Sequence, residues 1–362
     1  MSAALPPGAG RPADSQAAGP AGDDAGRSAW SRLWQTGVLH SCARGFADNY
    51  AGEIAQFWQQ QVHKLPDGAR VVDIGTGNGA LPLLASQVAA QAGRQLDIHG
   101  VDSAGIDPAA AAGERASAYR GLSFHPHTPA HRLPFDAGSV ALVTSQYAFE
   151  YMPLLPVRDE LLRVLAADGT IAMIVHSDDS IIARQAPGQA EACRFLFDEL
   201  ALFERSRALL QVLVGASGPD GSADLAALAG NPAAEAARAG FNAAAGRLSQ
   251  RLSHTPVDLL GRATAHLRNV LAASGQSPAQ ALELLDRAEQ SLLDERERLR
   301  QLQAAIQNDA GRQRIAAAFR DHGLAVTLAP LDVRPPAAAA SRAGQATPAT
   351  VRMGWSLVAR RA

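Results

Sequence analysis

Cysteine is scarce in this chain: Cys42 and Cys193 are the only two. Two thiols so far apart make neither a disulfide framework nor a zinc site, and they suit a reducing cytosol, so a cytoplasmic protein is expected. The 10 histidines are scattered without Cys partners, which leaves no ligand cluster for a metal. A basic excess is also missing, the formal net charge being -2. Proteins built to grip phosphate backbones usually carry a Lys/Arg surplus, so nucleic acid is not expected as substrate. No uninterrupted apolar run reaches the roughly 18 residues of a membrane span, so no membrane partner is expected. Residues 1–28 are Ala, Gly and Pro with scattered charges. They lack a basic start followed by an apolar stretch, so they are expected to form a disordered tail and not a signal peptide.

What remains is an ordinary globular composition over 362 residues, 47% hydrophobic and 19% charged. Trp30, Trp34, Phe46, Tyr50, Ile54, Phe57 and Trp58 have spacings that suit amphipathic helices before Pro66-Asp67-Gly68 breaks the pattern. Five short apolar runs then read as strands: Arg70 to Gly75, Leu96 to Asp102, Leu122 to His125, Ser139 to Ser145 and Thr170 to Val175. Helical stretches separate them at Leu81 to Ala92, Pro108 to Tyr119 and Val157 to Leu165. This alternation calls for a mostly parallel sheet covered on both faces, an α/β fold. It stops near residue 180. From 181 to 310 the chain is Ala/Leu-rich and broken at Gly215 to Gly221, Gly230 to Pro232 and Ser274 to Pro278. Leu285, Leu292, Leu299 and Ile306 recur every seven residues, with Ala281, Ala288 and Leu302 near the same face, predicting one long helix. That stripe packs within a helical insertion or forms a homodimer seam. The charged run Asp294 to Arg300 reads as a solvated helix face. A helix over Arg312 to His322 and strands at Leu324 to Ala329 and Gly354 to Ala359 close the chain, around a Pro/Ala-rich loop at Pro335 to Thr350 expected to be mobile. The expected organisation is therefore a core over 29–180 and 311–362, interrupted by helices at 181–310.

The strongest motif is Val71-Val-Asp-Ile-Gly-Thr-Gly-Asn-Gly79. A strand that ends in glycines and opens a helix brings free backbone N–H groups towards a ligand. Gly75, Gly77 and Ala80 also satisfy the dinucleotide pattern, so the glycine spacing alone does not choose between ligands. Asp73 does separate them. A carboxylate at the end of an apolar strand needs a partner, and an ammonium group is a good one, whereas an anionic pyrophosphate would be repelled. Capping of the glycine loop is the plain alternative for Asp73. Asp102 ends the second strand, about 20 residues beyond the glycines, where an acid accepts hydrogen bonds from ribose hydroxyls in either ligand class.

These motifs, followed by Leu133-Pro-Phe-Asp136, Val140-Ala-Leu-Val-Thr-Ser-Gln-Tyr147 and Leu162-Arg-Val-Leu-Ala-Ala-Asp-Gly-Thr170, resemble the class I S-adenosylmethionine-dependent methyltransferases of the small-molecule, Leu-Pro-Phe type. The resemblance covers about 60–178 and 312–362. It implies a seven-stranded, mostly parallel Rossmann-like sheet with an antiparallel terminal hairpin, to which the all-α insertion is added. It also implies S-adenosylmethionine as cofactor and a small-molecule acceptor. Gly75 and Gly77 are then expected at the methionyl part, Asp102 at the ribose, and Ser145, Gln146 and Tyr147 beside the sulfonium and methyl, with Asp73, Thr76, Gly79 and Ser103 as further cofactor-binding residues. Members often carry an acid before Leu-Pro-Phe to accept the adenine amino hydrogens. Here the stretch is His127-Thr-Pro-Ala-His-Arg132, which leaves the Ala130 backbone, Thr128 or His131 for that role.

Methyl transfer from positive sulfur asks the enzyme mainly for positioning and desolvation, with a base only if the acceptor loses a proton early. Tyr147, Glu150, Tyr151 and His176 are the candidates near the strand ends, each equally readable as pocket wall, helix start or satisfied strand end. Tyr50 and Trp58 are candidates to cover the cofactor, or plain core residues. Three readings follow: an S-adenosylmethionine-dependent methyltransferase, a nicotinamide-dependent oxidoreductase, and a non-catalytic relative acting as a binding or partner protein.

Overall fold

A computed structural model describes residues 24–41, 48–218, 221–224, 226–334 and 350–361. Cys42, Phe46, residues 1–23 of the expected tail and 335–349 of the expected loop lie outside them. The remainder of the expected tail is helical: α1 (Asp24–Gln35) starts four residues before Ser28. Its Ala29 and Trp34 are buried, so apolar contacts extend order to a segment whose composition gives little sign of it. After α2 (Gly52–Val62) come β1 (Arg70–Ile74), α3 (Ala80–Gln91) and β2 (Asp97–Val101). The single helix expected at Pro108 to Tyr119 is divided into the short α4 (Pro108–Ala111) and a 3-10 turn over Gly113–Tyr119. Gly113, at φ 56°, breaks the right-handed path between them. β3 (Leu122–His125), β4 (Val140–Gln146), α5 (Leu154–Val164) and β5 (Leu165–Val175) follow.

Five helices come next: α6 (Ile181–Arg194), α7 (Leu202–Gly215), α8 (Pro232–His254), α9 (Asp258–Ser274) and α10 (Pro278–Ala305). α11 (Asp309–Arg320), β6 (Leu324–Val333) and β7 (Val351–Arg361) then complete a seven-stranded sheet in the order β3-β2-β1-β4-β5-β7-β6. β1 to β5 pair in parallel, while β7 runs antiparallel to both β5 and β6. One face of the sheet buries Val72, Ile74, Val143 and Met173 under Leu161 of α5 and Phe319 of α11. The other buries Val71, Leu142 and Ala172 under Trp58 of α2 and Leu84 and Val88 of α3. Both faces are covered, which is why the strands read as near-continuous apolar runs.

The helices between β5 and α11 have a core of their own. Their ends are set locally: Asn231 and Ser277 accept backbone N–H groups as N-caps, each followed by Pro at the first helical position. Ala281, Leu285, Ala288, Leu292 and Leu299 of α10 all face this core, and Ile306 lies just past the helix end. Burial of each such leucine contributes about 1.5–3 kcal/mol. The seven-residue stripe is thus used within the chain, which removes it as a seam between two copies. The solvated face expected at 294–300 also needs correction. Asp294 is 5% exposed, and the Arg298 side chain 12%. Entry and exit of the helical block are joined: Ser177 bridges Gln307, Asp178 N–H donates to Gln307 O, and Gln307 N–H donates to His176 O. Among the described residues no helix is long and apolar enough to cross a membrane.

Candidate functional site

The C-terminal ends of β1, β2 and β4 open onto one cavity of about 260 Å³. This is where the strand order reverses between β1 and β4, the place at which open α/β sheets leave a crevice for ligands. Asp73, next to last in β1, lines it and is 3% exposed. Thr144 Oγ1 on β4 donates to Asp73 Oδ1 at 2.8 Å, and no cation among the described residues reaches the carboxylate. Burial, assisted by the charge of Asp102, pushes the Asp73 carboxyl up to about 7. An acid so placed is a ready acceptor for a cationic group brought in from outside.

The glycine loop between β1 and α3 behaves differently from the expectation of free N–H donors. Gly75 and Thr76 N–H both donate to Val101 O, Gly79 N–H to Thr76 O, and Gly77 N–H to Asp102 Oδ2 at 2.8 Å. These donors are consumed in joining the loop to the end of β2. What the glycines provide is room and a left-handed backbone. Gly75 sits at φ 67°, and a Cβ there would stand 2.4 Å from Ala148 Cβ; at Gly77 (φ 53°) it would stand 2.6 Å from the Trp34 ring. A Cβ at Gly79 would meet Phe124, so that glycine serves helix–strand packing.

Asp102 follows β2 and lines the cavity beside Ser103. Its carboxylate accepts from Gly77 N–H and from Ala104 N–H at 2.9 Å, and burial holds its pKa above the usual carboxylate range. The loop after β3 contributes Thr128, Pro129, Ala130 and His131 to the wall. The acid missing from this stretch in sequence is not supplied from elsewhere: Asp73 and Asp102 are the acids that line the cavity among the described residues.

At the end of β4, Gln146 and Tyr147 line the cavity, whereas Ser145 is buried and donates from Oγ to Ile74 O. Trp58 is core: it donates its indole N–H to Gln146 Oε1, leaving the buried Gln146 Nε2 with no partner among the described residues. Tyr147 is held at φ 55°, an uncommon conformation for a bulky residue. Its N–H donates to Ile174 O, its hydroxyl to Met353 O, and its ring stacks on His176 with centroids 4.4 Å apart. His176 and Glu150 do not themselves line the cavity. They form a buried pair in which Glu150 Oε1 accepts from both His176 N–H and His176 Nδ1, each at 2.7 Å. A carboxylate acceptor fixes Nδ1 as the protonated nitrogen. Tyr151 lines the cavity and meets His176 edge-on.

Several residues escaped the sequence reading. Trp30 and Trp34 of α1, stacked at 5.8 Å, both line the cavity, as do His40 and Gln301; Tyr50, weighed as a cover, does too. Their helical spacing gave a face but not its partner, and Gln301 comes from a helix far away in sequence.

Residues 72–173 match the family model described as a methyltransferase domain. No curated protein matches the chain. Among solved structures, the geranyl diphosphate C-methyltransferase from Streptomyces coelicolor A3(2), in complex with Mg2+, geranyl-S-thiolodiphosphate and S-adenosyl-L-homocysteine, is 21% identical with a TM-score of 0.29. That match covers 34% of this chain and 43% of that one. Phosphoethanolamine N-methyltransferase 2 from Haemonchus contortus, in complex with S-adenosyl-L-methionine, is 20% identical with a TM-score of 0.30, over 37% of this chain and 30% of that one. A SAM dependent methyltransferase from Aquifex aeolicus is 19% identical with a TM-score of 0.29, over 34% and 64%. The chain spans less than half the length of the first two. The segment similar to a methyltransferase domain thus runs from β1 into β5, the parallel part of the Rossmann-like sheet.

Proposed function

We propose that this protein transfers a methyl group from S-adenosylmethionine to a small-molecule acceptor. The observation that carries the reading is Asp73, a buried carboxylate in the cavity wall with no cationic partner among the described residues. The α-ammonium of the cofactor supplies that missing charge. Asp102 is suited to the ribose hydroxyls, because each carboxylate oxygen keeps accepting capacity beyond the one N–H it already binds. Thr128, Ala130 and His131 form the adenine side, and the unpartnered Gln146 Nε2 offers a donor near the methionyl end. Gly75, Thr76, Gly77 and Gly79 shape the loop that admits the cofactor, with Ser103 beside the ribose acid and Ser145 bracing the end of β1.

The bound cofactor supplies a methyl group on positively charged sulfur, so the protein contributes chiefly alignment and exclusion of water. Tyr147 and Tyr151 are the catalytic candidates that reach the cavity. Glu150 and His176 act through Tyr147, His176 bracing its ring from behind and Glu150 fixing the orientation of His176.

Calorimetric titration of the full chain with S-adenosylmethionine, S-adenosylhomocysteine and NADH tests the reading. Micromolar binding of the first two is expected, weakened at least about tenfold in Asp102→Ala through loss of hydrogen bonds to a charged group. Binding of NADH alone would move the protein to the oxidoreductases. Binding of none would leave a partner-protein role.

A further inference from the structure

Trp30 and Trp34 line the cavity from α1, a helix that is no part of the sheet. α10 holds it there. Arg32 makes a two-pronged ion pair with Asp294, Nε to Oδ2 at 2.7 Å and Nη2 to Oδ1 at 2.6 Å. Arg298 Nη1 donates to Ala29 O at 3.0 Å, and Trp30 Nε1 donates to Gln301 Oε1 at 2.8 Å. Asp294, Arg298 and Gln301 are spaced i, i+4, i+7, so they form one stripe on α10. The apolar stripe of Ala288, Leu292 and Leu299 serves the insertion's own core. Holding the insertion together does not require a second, polar stripe from which water is excluded. Asp294 and Gln301 are 5% and 7% exposed, and each has a further partner on α10, Gln290 Nε2 for Asp294 and Glu297 Oε1 for Gln301.

The other side of α1 is attached to the cofactor-side loops. Asn78 Nδ2 donates to Trp34 O and Val38 O, each at 2.8 Å, and Gly105 N–H donates to Ser31 Oγ at 2.8 Å. The Trp34 ring occupies the space that a side chain at Gly77 would need. Three contacts therefore lead from the insertion to the glycine loop: α10 to α1, α1 to Asn78, and Trp34 to Gly77.

We infer that α10 is the positioning element of the cavity wall, with Asp294 and Gln301 holding α1 so that Trp30 and Trp34 are set against the glycine loop before a ligand arrives. The helical insertion thereby tunes cofactor affinity, an inference that rests on the cofactor reading above. Asp294 and Gln301 are positioning residues: Gln301 touches the cavity edge, and Asp294 acts through Arg32.

The test compares Asp294→Asn with Asp286→Asn in the full chain. Asp286 lies on the same helix but pairs with Arg207 of α7, away from α1. Asp294→Asn is expected to speed amide hydrogen exchange over residues 24–38 about tenfold and to weaken S-adenosylhomocysteine binding by a similar factor. Asp286→Asn should change neither, and the reciprocal pair Arg32→Asp with Asp294→Arg should recover both in part. Unchanged exchange in Asp294→Asn, or equal loosening in Asp286→Asn, would overturn the clamp. Faster exchange with unaltered affinity would overturn its role in binding. If the wild-type chain binds no S-adenosylhomocysteine, it is the cofactor reading that fails, and exchange alone then decides the clamp.

Discussion

Gly75→Ala is expected to destabilise the protein by about 2–5 kcal/mol and to weaken S-adenosylhomocysteine binding at least about tenfold. Two penalties add. The left-handed backbone at φ 67° costs an alanine about 1–2 kcal/mol. The added Cβ would stand 2.4 Å from Ala148 Cβ and 3.3 Å from Met152 Cε, so it overpacks a site with little room to give, at about 1–3 kcal/mol. Ala148 and Met152 both line the cavity, so the displacement is transmitted to the ligand space. Gly93 provides the matched control. Its φ is also 67°, but nothing lies within 4 Å of a Cβ there. Gly93→Ala should therefore show the conformational cost alone, about 1–2 kcal/mol, with binding intact. Urea unfolding and calorimetry on the two variants separate backbone strain from crowding.

The second large effect is on pH dependence. In the free protein the Asp73 carboxyl is raised to about 7 by burial, with Asp102 adding repulsion. An ammonium ligand favours the ionised form, so it must release a proton from Asp73 to bind. Affinity for S-adenosylhomocysteine should accordingly fall about tenfold from pH 7.5 to pH 6, as the carboxyl is protonated before the ligand arrives. Above about pH 8 an α-amine begins to lose its own proton, so the profile should turn over. Asp73→Asn should flatten the acid limb and bind weakly throughout. The sign for stability of the free protein is opposite. Asp73 and Asp102 both have raised folded-state values, so their contribution is fully present below the unfolded carboxylate range and is lost as pH rises, that of Asp73 up to about 7. Without ligand, the thermal midpoint should drop between pH 5 and 7.5; with saturating ligand that drop should shrink or reverse. A ligand-free midpoint that rises over this range would contradict the assignment.

Much of this architecture was legible because the sheet is covered on both faces. Runs such as Val71-Val72 and Ile171 to Val175 announce buried strands by composition alone, and an acid at the end of such a run stands out as something needing a partner. The long helix was legible from Leu285, Leu292 and Leu299 for a similar reason: burial on one side imposes a period. The roof of the cavity was not. Arg32 and Asp294 are surface-type residues in sequence, and only their juxtaposition across 262 positions makes one of them buried. The glycine loop misled in a subtler way. Its spacing advertises free N–H groups, but Val101 O and the Asp102 carboxylate capture them, and nothing local in the loop reveals those acceptors. Tyr147, Glu150 and His176 were singled out for standing near strand ends. That proximity did not reveal that Tyr147 would face the cavity with the other two stacked and paired behind it.

Asp73 for the amine and Asp102 for the ribose hydroxyls are proposed to bind one S-adenosyl ligand. A crystal structure of the full chain with S-adenosylhomocysteine tests this most directly. The ligand's amine is expected within hydrogen-bond distance of the Asp73 carboxylate, with the ribose hydroxyls on Asp102 and Trp30 and Trp34 closing the cavity above it. A ligand bound with its amine elsewhere and Asp73 still lacking a cationic partner would overturn the assignment of Asp73, as would an empty cavity at millimolar ligand.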